Sequence, residues 1–104
     1  MKFYVYILYS ASSDKFYVGY THDVEARLND HNQGSRSNQS AKYTFKHRPW
    51  ELKAKFCLGE DRSQAIRTER YIKRQKSRKF IQQLIDSKDE VEQLAQLLGV
   101  PIIG

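Results

Sequence analysis

The stretch Phe3–Tyr9 is built almost wholly from aromatic and branched residues. Its alternation places Phe3, Val5, Ile7 and Tyr9 on one face and Tyr4, Tyr6 and Leu8 on the other, as in a β-strand. Ala11–Lys15 has turn composition and Phe16–Tyr20 returns to strand formers, which predicts a β-hairpin. Thr21 or Asp23 is placed to cap a helix running to about Asn32, with Gly34 as its stop. Gln33–Lys42 is polar and rich in Ser and Asn and reads as a loop, and Pro49 forces an extended entry to the next segment. Over Glu51–Leu58, Leu52, Ala54, Phe56 and Leu58 alternate with Lys53, Lys55 and Cys57, the pattern of a half-buried third strand with the first set facing inward. Gly59–Ser63 supplies a turn and capping groups for a long helix to about Gln75. Ser77 and Arg78 break that helix, Phe80–Asp86 forms a shorter one, and Val91, Leu94, Ala95 and Leu98 recur at helical spacing before Gly99-Val100-Pro101. The predicted order is ββαβαα plus a C-terminal tail helix. This is an α/β chain of α+β type: a small three-stranded antiparallel sheet flanked by helices, with a principal unit over 1–86 and an acidic helical tail over 87–104.

Composition narrows the class. The chain has 104 residues, the size of one domain. A hydrophobic share of 39% with 12% aromatics exceeds that of a disordered chain. No apolar run approaches the ~20 residues of a membrane-spanning helix. The apolar start Phe3–Tyr9 is too short and too rich in tyrosine for a secretion signal. A single cysteine, Cys57, excludes an internal disulfide framework and fits a reducing compartment, so a cytoplasmic protein is expected. The three histidines and the cysteine are scattered and do not form a zinc pattern.

The net charge of +6 is unevenly distributed: +3 over residues 1–50, +6 over 51–80 and −3 over 81–104. The densest basic run is Arg67, Arg70, Lys73, Arg74, Lys76, Arg78 and Lys79. Such a run neutralises phosphates without reading sequence, though an acidic substrate, an acidic partner protein or plain solvation of a helix face accounts for it equally well.

Three sets of polar residues stand where an ordinary core is not expected to place them. Glu69 lies three or four positions from Ala65, Ile66 and Ile72 and so shares their helix face. A carboxylate there either pairs with Arg70 or Lys73 at an edge, or binds a cation. Arg27 and His31 stand four apart, beside the Val24/Leu28 ridge of the first helix. That spacing lets both face one phosphate, or leaves a surface arginine beside a half-buried histidine. In the hairpin, Tyr6 and Tyr17 become neighbours if the register brings their faces together, and Gly19 then leaves room for a ligand backbone to approach. Tyrosine is also simply a good strand residue.

Tyr4-Val5-Tyr6, then ten residues, then Tyr17-Val18-Gly19 resembles the paired signature of the GIY-YIG nuclease family. Arg27, His31 and Glu69 follow in the order of that family's polar positions. Ala41-Lys42-Tyr43-Thr44 with Arg48-Pro49-Trp50-Glu51-Leu52 is similar to its short stand-alone bacterial members. Tyr4 replaces the first glycine of the signature, and the family's downstream asparagine has no counterpart near Ile81. The resemblance implies phosphodiester cleavage with one divalent ion, Mg2+ or Mn2+, held by Glu69. Tyr6 is then the general base, with His31 as the alternative base, Tyr17 and His31 as positioning or relay groups, and Arg27 as the stabiliser of transition-state charge. An unperturbed tyrosine has a pKa of ~10, so Tyr6 needs nearby positive charge to act as a base. Lys42 and Tyr43 on the loop, Gly19, and Arg70, Lys73 and Arg74 on the long helix are the implied substrate contacts. The expected partner is nucleic acid, DNA before RNA, with no membrane. Two other readings of the chain are a catalytically weak nucleic-acid binding module, and a protein-interaction domain that docks through Leu94 and Leu98 of the tail.

Overall fold

The structure is a computed structural model, and it describes residues 1–33 and 46–103. β1 (Tyr4–Ser10) is the central strand of a three-stranded antiparallel sheet, between β2 (Lys15–Thr21) and β3 (Glu51–Cys57). It carries no charge, and both of its faces are covered: Val5, Tyr6, Ile7 and Leu8 are all buried. The connecting turn places Asp14 in the left-handed region (φ 51°), which a short polar side chain tolerates. Asp14 accepts from Tyr9 Oη at 2.7 Å and from Arg78 Nη2 at 2.8 Å, so the hairpin tip is tied to a distant helix.

The two faces are covered by different helices. α1 (Val24–Gln33) packs Val24 and Leu28 against Tyr6, Leu8 and Trp50. On the opposite face, Val5, Ile7, Val18, Ala54 and Phe56 meet residues of α2 (Arg62–Gln75), α3 (Arg78–Asp86) and α4 (Val91–Leu98). The sheet is thus the middle of three layers.

Caps mark the helix ends. Asp23 accepts from the Ala26 amide and Asp61 from the amides of Ser63 and Gln64. Ser77 accepts from the Phe80 amide, so the residue expected only to break the chain is an N-cap, and α3 starts at Arg78 rather than Phe80. α4 ends on Gly99 at φ 70°.

β3 departs from the expected single inward row. The register runs Ile7↔Ala54 and then Leu8↔Leu52, a bulge that leaves Lys53 without its own partner on β1. The extra residue reverses the alternation. Leu52 therefore joins the α1 side with Tyr6 and Leu8, while Ala54 and Phe56 remain on the other. Pro49 follows a cis peptide bond at the entry to this strand.

The tail packs on the same core. Leu94 (1% exposed) and Leu98 (5%) lie in the main hydrophobic cluster with Ile102, and the Ile103 amide donates to the Cys57 carbonyl at the outer edge of β3. The Leu94/Leu98 stripe expected as a docking surface is thus occupied by the chain's own core. Among the described residues no helix is long and apolar enough to cross a membrane. Gly34, Lys42 and Tyr43 lie outside the described residues.

Candidate active site

The site begins with two strands in register. Tyr6 on β1 pairs with Gly19 on β2, and Tyr17 pairs with Leu8, so the two phenols are diagonal neighbours on the α1 face with ring centroids 6.3 Å apart. Gly19 is needed at this register position. A Cβ there would stand 2.5 Å from Tyr6 Oη and 2.7 Å from Cζ. The space above Gly19, expected to admit a ligand backbone, is therefore filled by the Tyr6 ring.

α1 delivers the next two groups. His31, in its last turn, places Nε2 2.9 Å from Tyr6 Oη and its ring 4.8 Å from that of Tyr17. Both Tyr6 and His31 are 1% exposed. Arg27 stands one turn earlier, and its Nε is buried without a hydrogen-bond partner among the described residues. Its guanidinium is close enough to Tyr6 to act on the phenol's ionisation.

Glu69 arrives from the opposite layer. β2 is an edge strand, and α2 runs along it in the reverse direction. Arg62 meets the Tyr20 hydroxyl at one end, and Arg78, just past the other end, lies over the Phe16 ring. Glu69 sits in the middle of that helix with its side chain 15% exposed, and Lys73 Nζ contacts its Oε1 at 2.6 Å. The same ammonium lies 5.6 Å from the centre of the Tyr17 ring. Of the two pairings weighed for Glu69, the structure contains the one with Lys73, at the i, i+4 spacing. Arg70 and Arg74 occupy exposed positions of α2.

The electrostatics follow from burial. The Tyr6 phenol is pushed up to about 12, by burial first, then by Tyr17 and more weakly by Glu69, against the opposing pull of Arg27. His31 is pushed down to about 4, by burial and then by the Arg27 charge, with Asp30 opposing. Near neutral pH the pair is a neutral phenol and a neutral imidazole sharing one hydrogen bond. Which of Tyr6 Oη and His31 Nε2 donates in that bond is set by the imidazole tautomer.

One supporting contact had no clear signal in the sequence. Asn32 clamps the buried Trp50: its Oδ1 accepts from the Trp50 amide at 2.6 Å and its Nδ2 donates to the Trp50 carbonyl at 3.1 Å. The indole stands edge-on to Tyr17 at 6.2 Å. The clamp ties the end of α1 to the start of β3 and walls the second phenol.

Two open clefts flank the cluster along β2. One, of about 430 Å³, includes Lys15, Tyr17, Lys73, Lys76 and Arg78 in its lining, and the other, of about 490 Å³, includes Tyr20, His22, Arg27 and Arg62. Among the described residues no group of three or more His, Cys, Asp or Glu side chains converges as a metal cage.

Comparison with known proteins bears on the family and the fold. The family model for the GIY-YIG catalytic domain matches residues 2–82. A UPF0213 protein of Haloquadratum walsbyi is 38% identical over 90 residues, covering 86% of this chain and 93% of that protein. A UPF0213 protein of Bacillus licheniformis is 36% identical over 85 residues, covering 82% and 80%. The solution NMR structure of a UPF0213 protein from Bacillus halodurans, 27% identical, matches with a TM-score of 0.50 over 96% of this chain and 99% of that one. With the signature strands paired, the helices in order and nearly the whole length shared with these short relatives, the chain belongs to the GIY-YIG family, whose catalytic domain is of nuclease type.

Proposed function

We propose that this protein is a metal-dependent endonuclease that hydrolyses phosphodiester bonds in DNA, with Tyr6, Tyr17, Arg27, His31 and Glu69 as its catalytic groups. The observation that carries the reading is the surroundings of one hydroxyl. Tyr6 Oη is 2.9 Å from His31 Nε2, while Arg27 and Glu69, from two different layers, both stand within charge range of it. Gathering a half-buried cation and a half-buried anion around a buried phenol and a buried imidazole is costly for stability alone and is typical of a reactive site.

A single carboxylate suits Mg2+ or Mn2+, since Mg2+ keeps most of its waters and completes its shell with substrate phosphate. Glu69 fits this: it is largely buried and already holds a cation, the Lys73 ammonium. The ion, when bound, neutralises the scissile phosphate and stabilises the leaving 3′ oxygen. The rest is done by the chain. Arg27, whose buried Nε lacks a partner among the described residues, supplies a donor and a positive charge for the phosphate as its charge increases. As water oxygen bonds to phosphorus, a water proton passes to Tyr6 Oη while the phenol's own proton passes to His31 Nε2, so the phenol stays neutral throughout. The P–O3′ bond breaks as the bond from water oxygen to phosphorus forms, the leaving 3′ oxygen takes a proton from solvent, and His31 and Tyr6 pass the extra proton back to solvent as product leaves. Tyr17, between His31, Trp50 and Lys73, orients the water. Lys73, Arg70, Arg74 and the loop residues Lys42 and Tyr43 hold the substrate backbone. Residues 1–86 form the nuclease unit, 87–104 brace it, and the protein acts in the cytoplasm.

The test is a panel of labelled duplex, nicked, flap and single-stranded DNA with Mg2+ or Mn2+, run on the wild type, Tyr6→Phe and Glu69→Ala. Cleavage by the wild type, lost in both folded variants, is the expected result. Equal activity in all three refutes the site. One observation favours a second reading, a binding module without catalysis: Tyr6 is 1% exposed and shielded from solvent water. That reading gives salt-sensitive binding and no product with any metal.

A further inference from the structure

We propose that Lys73 is an internal counterion that holds Glu69 when no metal is present and exchanges it for a substrate phosphate, so that metal and nucleic acid assist each other's binding. This rests on the nuclease reading and adds a positioning residue to it. Lys73 Nζ lies 2.6 Å from Glu69 Oε1, inside the distance at which a divalent ion on that oxygen would be repelled by the ammonium. The two charges are unequally placed. Glu69 is 15% exposed and held in the middle of α2, whereas the Lys73 side chain is 49% exposed on a flexible stem. The lysine is therefore the partner that moves.

It also has a destination. Lys73 lines the cleft of about 430 Å³ beside Tyr17, which Lys15 and Lys76 make basic, the lining Asp14 being paired with Arg78. A phosphate in that cleft offers the ammonium a new partner and removes it from Glu69, while the carboxylate becomes available to a metal ion. The resting pair offsets the Glu69 charge, which acts weakly on the Tyr6 phenol, until substrate arrives. A half-exposed i, i+4 pair is weak, worth roughly two- to fivefold in an equilibrium constant, so the exchange is readily reversed. Reciprocity follows from linkage: whatever the phosphate does for metal affinity, the metal does equally for phosphate affinity.

Two binding measurements, neither of them of cleavage, test the exchange. The first is Mn2+ titration followed by electron paramagnetic resonance on the wild type, Lys73→Met, Lys73→Arg and Glu69→Gln. Lys73→Met is expected to bind Mn2+ about two- to fivefold more tightly than the wild type, and Lys73→Arg, which keeps the charge, is expected to restore the wild-type value. The second is fluorescence anisotropy of a labelled duplex oligonucleotide in EDTA. Glu69→Gln frees the lysine and is expected to tighten DNA binding about two- to fivefold, a gain that disappears when Lys73→Met is also present. A general loss of negative charge would tighten binding whether or not Lys73 is present, so an undiminished gain in the Lys73→Met background overturns the exchange. Unchanged Mn2+ affinity in Lys73→Met overturns it too, and leaves the nuclease reading standing. If Glu69→Gln binds Mn2+ as well as the wild type does, Glu69 is not the metal ligand, and both the exchange and that part of the nuclease reading fall.

Discussion

Replacing Gly19 with alanine is a sharp test of how the site is built. The added Cβ would stand 2.5 Å from Tyr6 Oη, 2.7 Å from Cζ and 3.0 Å from Cε1. Backbone hydrogen bonds hold Gly19 opposite Tyr6, and the phenol is buried between β2 and α1, so neither side yields freely. Relief requires the ring to leave its rotamer or the edge strand to shift. Overpacking of this kind costs roughly 1–3 kcal/mol. Moving the hydroxyl off His31 Nε2 adds about 1 kcal/mol for the lost hydrogen bond. The lower unfolded-state entropy of alanine returns up to about 1 kcal/mol. The expected net loss is roughly 1–4 kcal/mol. Urea unfolding of the wild type, Gly19→Ala, Tyr6→Leu and the double variant measures it. Leucine lacks the three clashing atoms, so Gly19→Ala in the Tyr6→Leu background should cost within about 0.5 kcal/mol of nothing. An equal cost in both backgrounds, or no cost in either, would refute the claim that Gly19 exists to seat Tyr6.

The displaced pKa values of Tyr6 and His31 make stability pH-dependent at both ends. Unfolded His31 takes up its proton below about 6.5 and the folded protein does not until about 4. Stability from this group is thus full above pH 6.5 and lost as pH falls towards 4, by about 3 kcal/mol at 1.36 kcal/mol per pH unit, and His31→Gln should flatten that slope in urea melts. Tyr6 has the opposite sense. Its folded pKa of about 12 exceeds the ordinary 10, so its contribution is full below pH 10 and lost as pH rises towards 12, and a late ultraviolet titration step should vanish in Tyr6→Phe. Asn32→Ala removes both hydrogen bonds to Trp50, at a cost of about 2 kcal/mol, and should shift the indole fluorescence to the red as water reaches the ring. Truncation after Asp86 strips Leu94, Leu98 and Ile102 from the core. At about 1.5–3 kcal/mol each, this approaches the whole stability of a small domain, so the shortened chain should lack a cooperative melt by circular dichroism.

The order of elements was legible in the sequence because it rests on short-range rules. Alternation of two marks Tyr4–Ser10, helical spacing marks Val91–Leu98, and the capping groups of Gly59–Ser63, Asp61 among them, announce a helix start through groups a few residues away, whereas Ser77 read only as a break and proved to be a cap. The i, i+4 pairing of Arg27 with His31 likewise follows from helix pitch alone. What needed the tertiary structure depends on contacts between distant parts of the chain. The bulge at Lys53 sends Leu52 to the α1 side, a choice made by register against Leu8 and invisible in a strand that alternates cleanly. The room above Gly19 belongs to Tyr6 because the hairpin pairs them directly, and the tail helix turns inward because a surface left by α2 and α3 needed covering. Glu69 could be placed on a helix face from sequence but not within electrostatic range of Tyr6. That depends on β2 being the sheet edge, so that a helix of one layer passes its carboxylate to residues of the other. Periodicity acts over one or two turns and therefore specifies elements. The site is made of side chains from both layers, and only packing brings those together.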